Sequence, residues 1–404
     1  MIALAALLGA AWADEVEVTV HGDLKTFFTA TFPYESTLLP SDPSGQGVFD
    51  NRMKLAAKWK DWSFEGHHTV TALTASASTG GFGASTGVGL QAPELVDLSW
   101  VAFDEDLTLR GRVDRFNVSW RPDGLGLTVG RQPITFGNAA IFTPLDLVNP
   151  FTPAVIDSEY KPGIDALRAD LYSGVATKLS LAAAYAGAWS PEGLIVAAYG
   201  QTTVGVTDLG LFLGSVRGDA VVGTSVVTAV GPVGITSDIA VTAPQGGGDP
   251  FVRGTVGFLW RPGPNTTLSG EVYVQTLGAT NPDQYVAKAA SPRFSRGEVW
   301  LMGVGYVGLA VSQQIRPTLS ASLAVVSNVL DPSAFVAPNV AWSVSNNVDF
   351  AMGGFVGVGA RPDDVQLTDL IGPNGPLPPE ELTYLNSEFG TYPGVVFAQA
   401  RMYF

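Results

Sequence analysis

Gly130–Pro153, GRQPITFGNAAIFTPLDLVNPFTP, closes one alternating segment and then breaks the two-residue rhythm of the chain. Just before the break, Leu125, Leu127 and Val129 alternate with Gly126, Thr128 and Gly130. That is the period of a strand with two unlike faces. The rhythm then lapses for about 25 residues, a length uncommon for an idle connection in a compact domain. It resumes near Gly163. Arg131 ends the strand, and Asp146, Asn149, Asp157 and Glu159 follow in the loop. A loop with such acids beside a strand with arginine can fold back onto its own wall.

The same rhythm fills the chain on both sides. Val16, Val18, Val20 and Leu24 alternate with Glu17, Thr19, His21, Asp23 and Lys25. Met53, Leu55, Ala57 and Trp59 oppose Arg52, Lys54, Lys58 and Lys60, and after a tight turn Glu65, His67, Thr69 and Thr71 share a face. Further on, Val252, Val256, Phe258 and Trp260 oppose Arg253, Thr255 and Arg261. The last segment sets Val396, Ala398, Ala400, Met402 and Phe404 against Gln399 and Arg401. In 191–243 small residues occupy both faces, and the pattern there does not mark the inner one.

Composition narrows the class. Charged residues make up 15% and hydrophobic residues 46%, too apolar for a disordered chain. Yet no apolar run reaches the length of a membrane helix. Apolar overall, but never in helix-length blocks, is the signature of strands that cross a bilayer. A net charge of −15 without a basic stripe argues against nucleic acid as a partner. The absence of cysteine removes disulfides and thiolate metal sites. Residues 1–13, MIALAALLGAAWA, read as a signal peptide ending in Ala11-Trp12-Ala13, with residues 14–404 as one domain.

Counting strands requires a reading of 94–121. Leu107, Leu109 and Val113 are odd, whereas Phe116, Val118 and Trp120 are even. A bulge at Asp114-Arg115 accounts for the change, because one extra residue exchanges the faces. It also turns Arg110, Arg112 and Arg115 to the polar side. Read as one strand, 94–121 gives eighteen strands, with tight turns near 61, 122, 174, 204, 230, 263, 313 and 345 all at one end. The long loops 32–46, 77–93, 137–162, 279–296 and 361–390 then share the other end. Split at Asp104-Glu105-Asp106, the segment gives nineteen and moves the 137–162 loop to the wrong side. The expected fold is therefore all-β, a transmembrane antiparallel barrel of about eighteen strands, with sixteen as the fallback.

A resemblance agrees with this. The GRQ strand end with Ile134 and Phe136-Gly137, followed by Asp146-Leu147-Val148-Asn149-Pro150, resembles the motif of outer-membrane porins of the alginate-export type. Tryptophan–glycine is commoner in that family than the Phe136-Gly137 seen here. The terminal Phe404, in register with Met402, resembles the C-terminal signal recognised by the bacterial barrel-assembly machinery. The resemblance covers about 25 residues. It implies a Gram-negative outer-membrane location with both termini periplasmic, contact with membrane lipid, and passive transport of small hydrophilic solutes, anionic or saccharide ones included. It names no interface for a homo-oligomer.

If the 137–162 loop lies across the lumen, Asp146, Asp157 and Glu159 would confront Arg110, Arg112, Arg115, Arg131 and Arg168, with Arg52 and Lys54 nearby. Opposed charges of this kind sort solutes by charge and dipole. Asp146 between Pro144 and Pro150 is the expected anchor, with Arg131 or Arg112 as its partner. The alternative is that the arginines pair with strand carboxylates such as Asp114, Asp165 and Asp170. No cofactor and no metal are expected: His67 and His68 on one strand point to opposite faces. Enzyme chemistry, as in a barrel-embedded hydrolase, lacks a nucleophile motif around the three histidines. A structural or adhesive barrel without channel activity is the remaining alternative.

Overall fold

The computed structural model describes residues 16–36, 42–74, 93–103, 107–148, 150, 160–372 and 375–404. The candidate signal peptide and the loop residues Asn149, Asp157 and Glu159 lie outside them. Eighteen antiparallel strands close into a barrel. In chain order they are β1 Glu17–Phe32, β2 Ser44–Trp59, β3 Trp62–Thr74, β4 Leu107–Trp120, β5 Leu125–Gln132 and β6 Ile164–Ser173. Then come β7 Thr177–Tyr185, β8 Leu194–Val204, β9 Thr207–Val216, β10 Asp219–Val230, β11 Val233–Ala243 and β12 Phe251–Gly263. The last six are β13 Thr266–Gln275, β14 Gly305–Arg316, β15 Leu319–Asn328, β16 Ser333–Ser345, β17 Val348–Val358 and β18 Gly394–Tyr403.

Closure is made by β1 against β18, from Asp23 opposite Tyr403 to Phe32 opposite Gly394. Phe404 completes the seam by exchanging backbone bonds with Gly22 at 2.7 and 2.9 Å. Hydrocarbon offers the backbone no partners, so a spanning sheet must leave no open edge. Outward residues are apolar, with Val20 54% and Met352 63% exposed. Trp59, Trp62, Trp120, Trp260 and Trp342 sit at the strand ends next to the short turns. Trp62 stacks on Trp120 at 6.0 Å between ring centres. An aromatic belt of this kind marks a membrane–water boundary.

The turns divide as the alternation requires. Eight short connections, from 60–61 to 346–347, share the end that carries both termini. Gly205 and Gly231 serve two of them with φ of 63° and 58°, the left-handed values that two-residue hairpins need. The long connections 133–163, 276–304 and 359–393 lie at the opposite end, although 217–218 and 329–332 there are also short.

The reading of 94–121 as one strand is corrected. The chain folds back: a short strand, Ser99–Phe103, pairs antiparallel with Thr108–Arg112 of β4. It adds no nineteenth crossing, and its cause is local. β5 is only eight residues long and pairs with β4 solely over Phe116–Trp120. Where β5 leaves the wall at Pro133, the short strand takes its place beside β4. The bulge lies where the phase change puts it: His67 faces Arg115 and His68 faces Val113, leaving Asp114 as the extra residue.

Inside, the lumen is unequal. Strands β7–β11 present small or apolar residues inward, among them Ala182, Ala184, Ala197 and Ala240, all buried. They are small because the inward loop packs on them. This explains why the alternation in 191–243 shows no marked inner face.

Candidate functional site

Residues 134–148 of the 133–163 loop enter the barrel and are held there by the wall. Ile134, Phe136, Leu145, Leu147 and Val148 join the small residues of β7–β11 in one apolar cluster. Gly223 on β10 makes room for it, since a Cβ there would come within 2.3 Å of Leu145 Cδ2. Phe136 packs against Tyr199 and Phe212 with ring centres 5.2 and 5.6 Å apart. Phe142 stacks between Tyr273, at 5.0 Å, and Trp300, at 6.2 Å.

Polar anchoring comes from two wall carboxylates. The amides of Asn138 and Ala139 donate to Asp238 at 2.8 and 2.9 Å. Those of Ala140, Ile141 and Phe142 donate to Glu271 at 2.7, 3.1 and 2.8 Å. Gly137 permits this close approach: its φ is 85°, and a Cβ would sit 2.5 Å from the Asp238 carboxylate. Successive backbone amides wrapped on one carboxylate make a strong, charge-assisted clamp. A lone acid among small inward residues (Asp238 in VGITSDIAVTA, Glu271 in TTLSGEVYVQ) is the sequence signal for such an anchor.

Asp146 does not pair with Arg131 or Arg112. Its carboxylate accepts from Lys161 Nζ at 2.6 Å. Lys161 also donates to the Ile134 carbonyl and the Thr135 hydroxyl, at 3.1 and 2.7 Å. The arms of the loop are thus tied to each other where the chain returns to the wall. The expected arginines are engaged elsewhere.

Arg131 in particular belongs to the wall and is only 3% exposed. Its place in the ladder, between Phe116 and Asp165, has the parity of the outward residues Val129 and Leu167. It binds both Asp165 oxygens, at 3.0 and 3.1 Å. It also donates to the Val113 carbonyl at 2.7 Å and the Val96 carbonyl at 2.8 Å. Glu94 lies 3.1 Å away as a second carboxylate. Gly130 has φ of 113°, and a Cβ would collide with the Phe116 carbonyl at 2.2 Å. Gln132 donates to the carbonyls of Thr128 and Ala166 at 3.2 and 3.1 Å. In GRQ, then, the glycine permits the departure, the arginine fastens segment 94–98 over the gap, and the glutamine holds β6.

The side of the lumen opposite the apolar seat is charged. Arg52 lies over the Tyr160 ring at 3.7 Å and Arg115 at 4.4 Å, so the ring is held by two guanidinium faces. The Tyr160 hydroxyl meets His67 Nδ1 at 2.6 Å. Burial pushes the Tyr160 phenol above its ordinary range, so the ring is neutral at working pH. Around this centre each cation has a wall acid: Arg52 with Asp114 at 3.2 Å, Lys54 with Asp23 at 3.4 Å, and Arg115 with Glu65 at 3.0 Å. Arg112 meets Glu94 at 2.8 Å, and Arg168 meets Asp170 at 3.1 Å. Arg110, two residues before Arg112, shares its inner face. The paired arrangement with strand carboxylates is the one observed. Tyr160, the centre of the group, carried no charge signal in the sequence.

Among the described residues, no group of three or more histidine, aspartate or glutamate side chains is arranged to hold a metal ion.

No family model matches the chain, and no curated protein does. Solved structures do match in shape. OccK5 (OpdH) of Pseudomonas aeruginosa superposes with a TM-score of 0.59 at 7% identity, over 96% of this chain and 97% of that one. A BenF-like porin from Pseudomonas fluorescens Pf-5 gives 0.58 at 7% identity, over 96% and 98%. OccAB2 of Acinetobacter baumannii gives 0.57 at 9% identity, over 96% and 98%. The fold is a porin fold. At such identities the likeness concerns architecture alone, and the residues of the lumen speak for themselves.

Proposed function

We propose that the protein is an outer-membrane porin, a passive diffusion channel for small hydrophilic solutes. The observation that carries this reading is the division of the lumen. The inward loop is fixed dry against β7–β11, and the charged group around Tyr160 stays on the other side. A barrel of sixteen to eighteen strands is too wide for wall side chains alone to fill. A loop that occupies one side therefore narrows the passage and directs solutes past Arg52, Arg115 and Tyr160. Because these cations are matched by wall acids, the passage favours dipolar, saccharide and weakly anionic solutes over polyanions. The GRQ strand end and the Asp146–Pro150 loop support a relationship with the alginate-export type. The Met402/Phe404 ending supports recognition by the barrel-assembly machinery, and the shared end of both termini supports a periplasmic position for them.

Planar bilayers test the reading. The purified barrel should give stepwise conductance, and Tyr160→Ala should raise both the step size and the preference for anions by freeing two guanidinium faces. Absence of steps from folded protein would favour a structural or adhesive barrel instead.

A further inference from the structure

Arg253 on β12 is buried, 7% exposed, at the loop end of the barrel. One terminal nitrogen donates to the Glu298 carbonyl at 2.8 Å. Its Nε is buried with no hydrogen-bond partner among the described residues. The acids around it serve other cations. Glu298 faces Arg293 at 3.0 Å, Arg296 at 3.2 Å and Arg217 at 3.7 Å. Asp219 is held by Arg293 at 2.6 Å. Asp146 is held by Lys161 at 2.6 Å. Three arginines thus share two carboxylates, Glu298 and Asp219, and Arg253, the fourth, has no ion pair among the described residues.

A second orphan lies beside it. Thr242 on β11 is 2% exposed, and its hydroxyl oxygen is buried without a partner among the described residues. Ala240 is opposite Arg253 and Thr242 opposite Phe251, so Thr242 and Arg253 are diagonal neighbours on one inner face. Both line one cavity of about 20 Å³, lined also by Leu147 of the inward loop, by Val216 and Val221, and by Arg293 of the 276–304 loop.

We propose that this cavity is a binding site for a halide-sized monovalent anion, chloride in the first place. A buried guanidinium without a direct ion pair is costly, and an anion in the cavity supplies one. The space suits one or two water-sized bodies and excludes organic anions of any length. Asp146, Asp219 and Glu298 also line the cavity and disfavour a second negative charge. Arg253 Nε–H and the Thr242 hydroxyl are the donors. The bound ion sits between β11 and β12, with Arg293 of the 276–304 loop and Leu147 of the inward loop lining its surroundings. The site is distinct from the charged passage at Tyr160, and its test reads binding rather than transport.

Crystals of the full barrel soaked in bromide should show an anomalous peak within hydrogen-bond reach of Arg253 and Thr242. At fixed ionic strength, replacing gluconate by chloride should raise the unfolding midpoint until it levels off, as mass action requires. Arg253→Met should abolish that dependence. Thr242→Val, which preserves shape, should weaken the apparent affinity by about threefold or more, the loss of one hydrogen bond to an ion. A parent without the bromide peak overturns the proposal. So does equal stabilisation by gluconate, or a chloride response in Thr242→Val matching the parent's.

Discussion

The Glu271 carboxylate on β13 accepts the amide hydrogen of Phe142 at 2.8 Å, across 129 residues of sequence. With the neighbouring amides of Ala140 and Ile141 it fixes the tip of the inward loop. Glu271→Gln should therefore loosen the tip at a cost of about 2 kcal/mol, by replacing charge-assisted bonds with neutral ones. Single-channel recordings should show larger and noisier steps, with heat-resistant folding retained. A conductance trace identical to the parent's would mean that the clamp does not set the passage.

Asp146→Ala acts on the base of the loop. It leaves Lys161 buried without this carboxylate, a loss of about 3 kcal/mol for a broken buried pair. Lys161 keeps its bonds to Ile134 and Thr135, so the loop should fray rather than leave. Proteolysis within 140–160 should accelerate, and deletion of 140–156 should raise conductance further. Equal protease resistance in Asp146→Ala and the parent would show that the pair is dispensable.

Arg131 and Arg115 should fail in different ways. Arg131→Met removes the fastening of segment 94–98 and should lower the temperature at which the barrel unfolds on gels, with little change in ion selectivity. Arg115→Met should shift the reversal potential toward cations and leave thermal resistance near that of the parent. The opposite assignment of effects would place Arg131 in the passage.

The 359–393 loop carries a pH response. Glu388 is fully buried, where it accepts the Met302 amide at 2.9 Å, the Asn328 side chain at 3.0 Å and the Tyr306 hydroxyl. Burial pushes its carboxyl from 4.5 up to about 7. A raised folded-state value means that the closed loop binds the proton more tightly than the open one. Its contribution is complete below the ordinary value near 4.5 and is lost as pH rises through about 7. Protection factors for hydrogen exchange of residues 380–392, from which the intrinsic pH dependence is removed, should fall between pH 6 and 8. In Glu388→Gln that pH step should disappear, and a step of unchanged size would assign it to another group.

Much of this architecture is legible in the chain because a barrel wall imposes a strict period of two. The bulge at Asp114, the closing strand ending at Phe404 and the side on which the turns fall all follow from that period. What the period does not carry is anything that replaces a strand. Segment 94–98 and the short strand Ser99–Phe103 fill a gap left by β5, and nothing local in their sequence announces a neighbour that ends early. Arg131 looked lumenal for the same reason, since an arginine at outward parity makes sense only once its cover is known. Asp146 had several arginines available at the level of sequence. Lys161, at the far end of the same loop, prevailed because the chain brings it back to the loop's base.

The seat of the inward loop has an evolutionary consequence. Ala182, Ala184, Ala197, Gly223 and Ala240 lie on the inner face of the wall beneath the inward loop, and their size is set by Phe136 and Leu145. Lineages of this barrel are thus expected to drift as a unit at these positions. A descendant that shortens its loop is released to enlarge the wall residues, and one that enlarges them first expels the loop. Ancestral changes in permeability should accordingly leave paired traces, one in the loop and one in strands β7–β11.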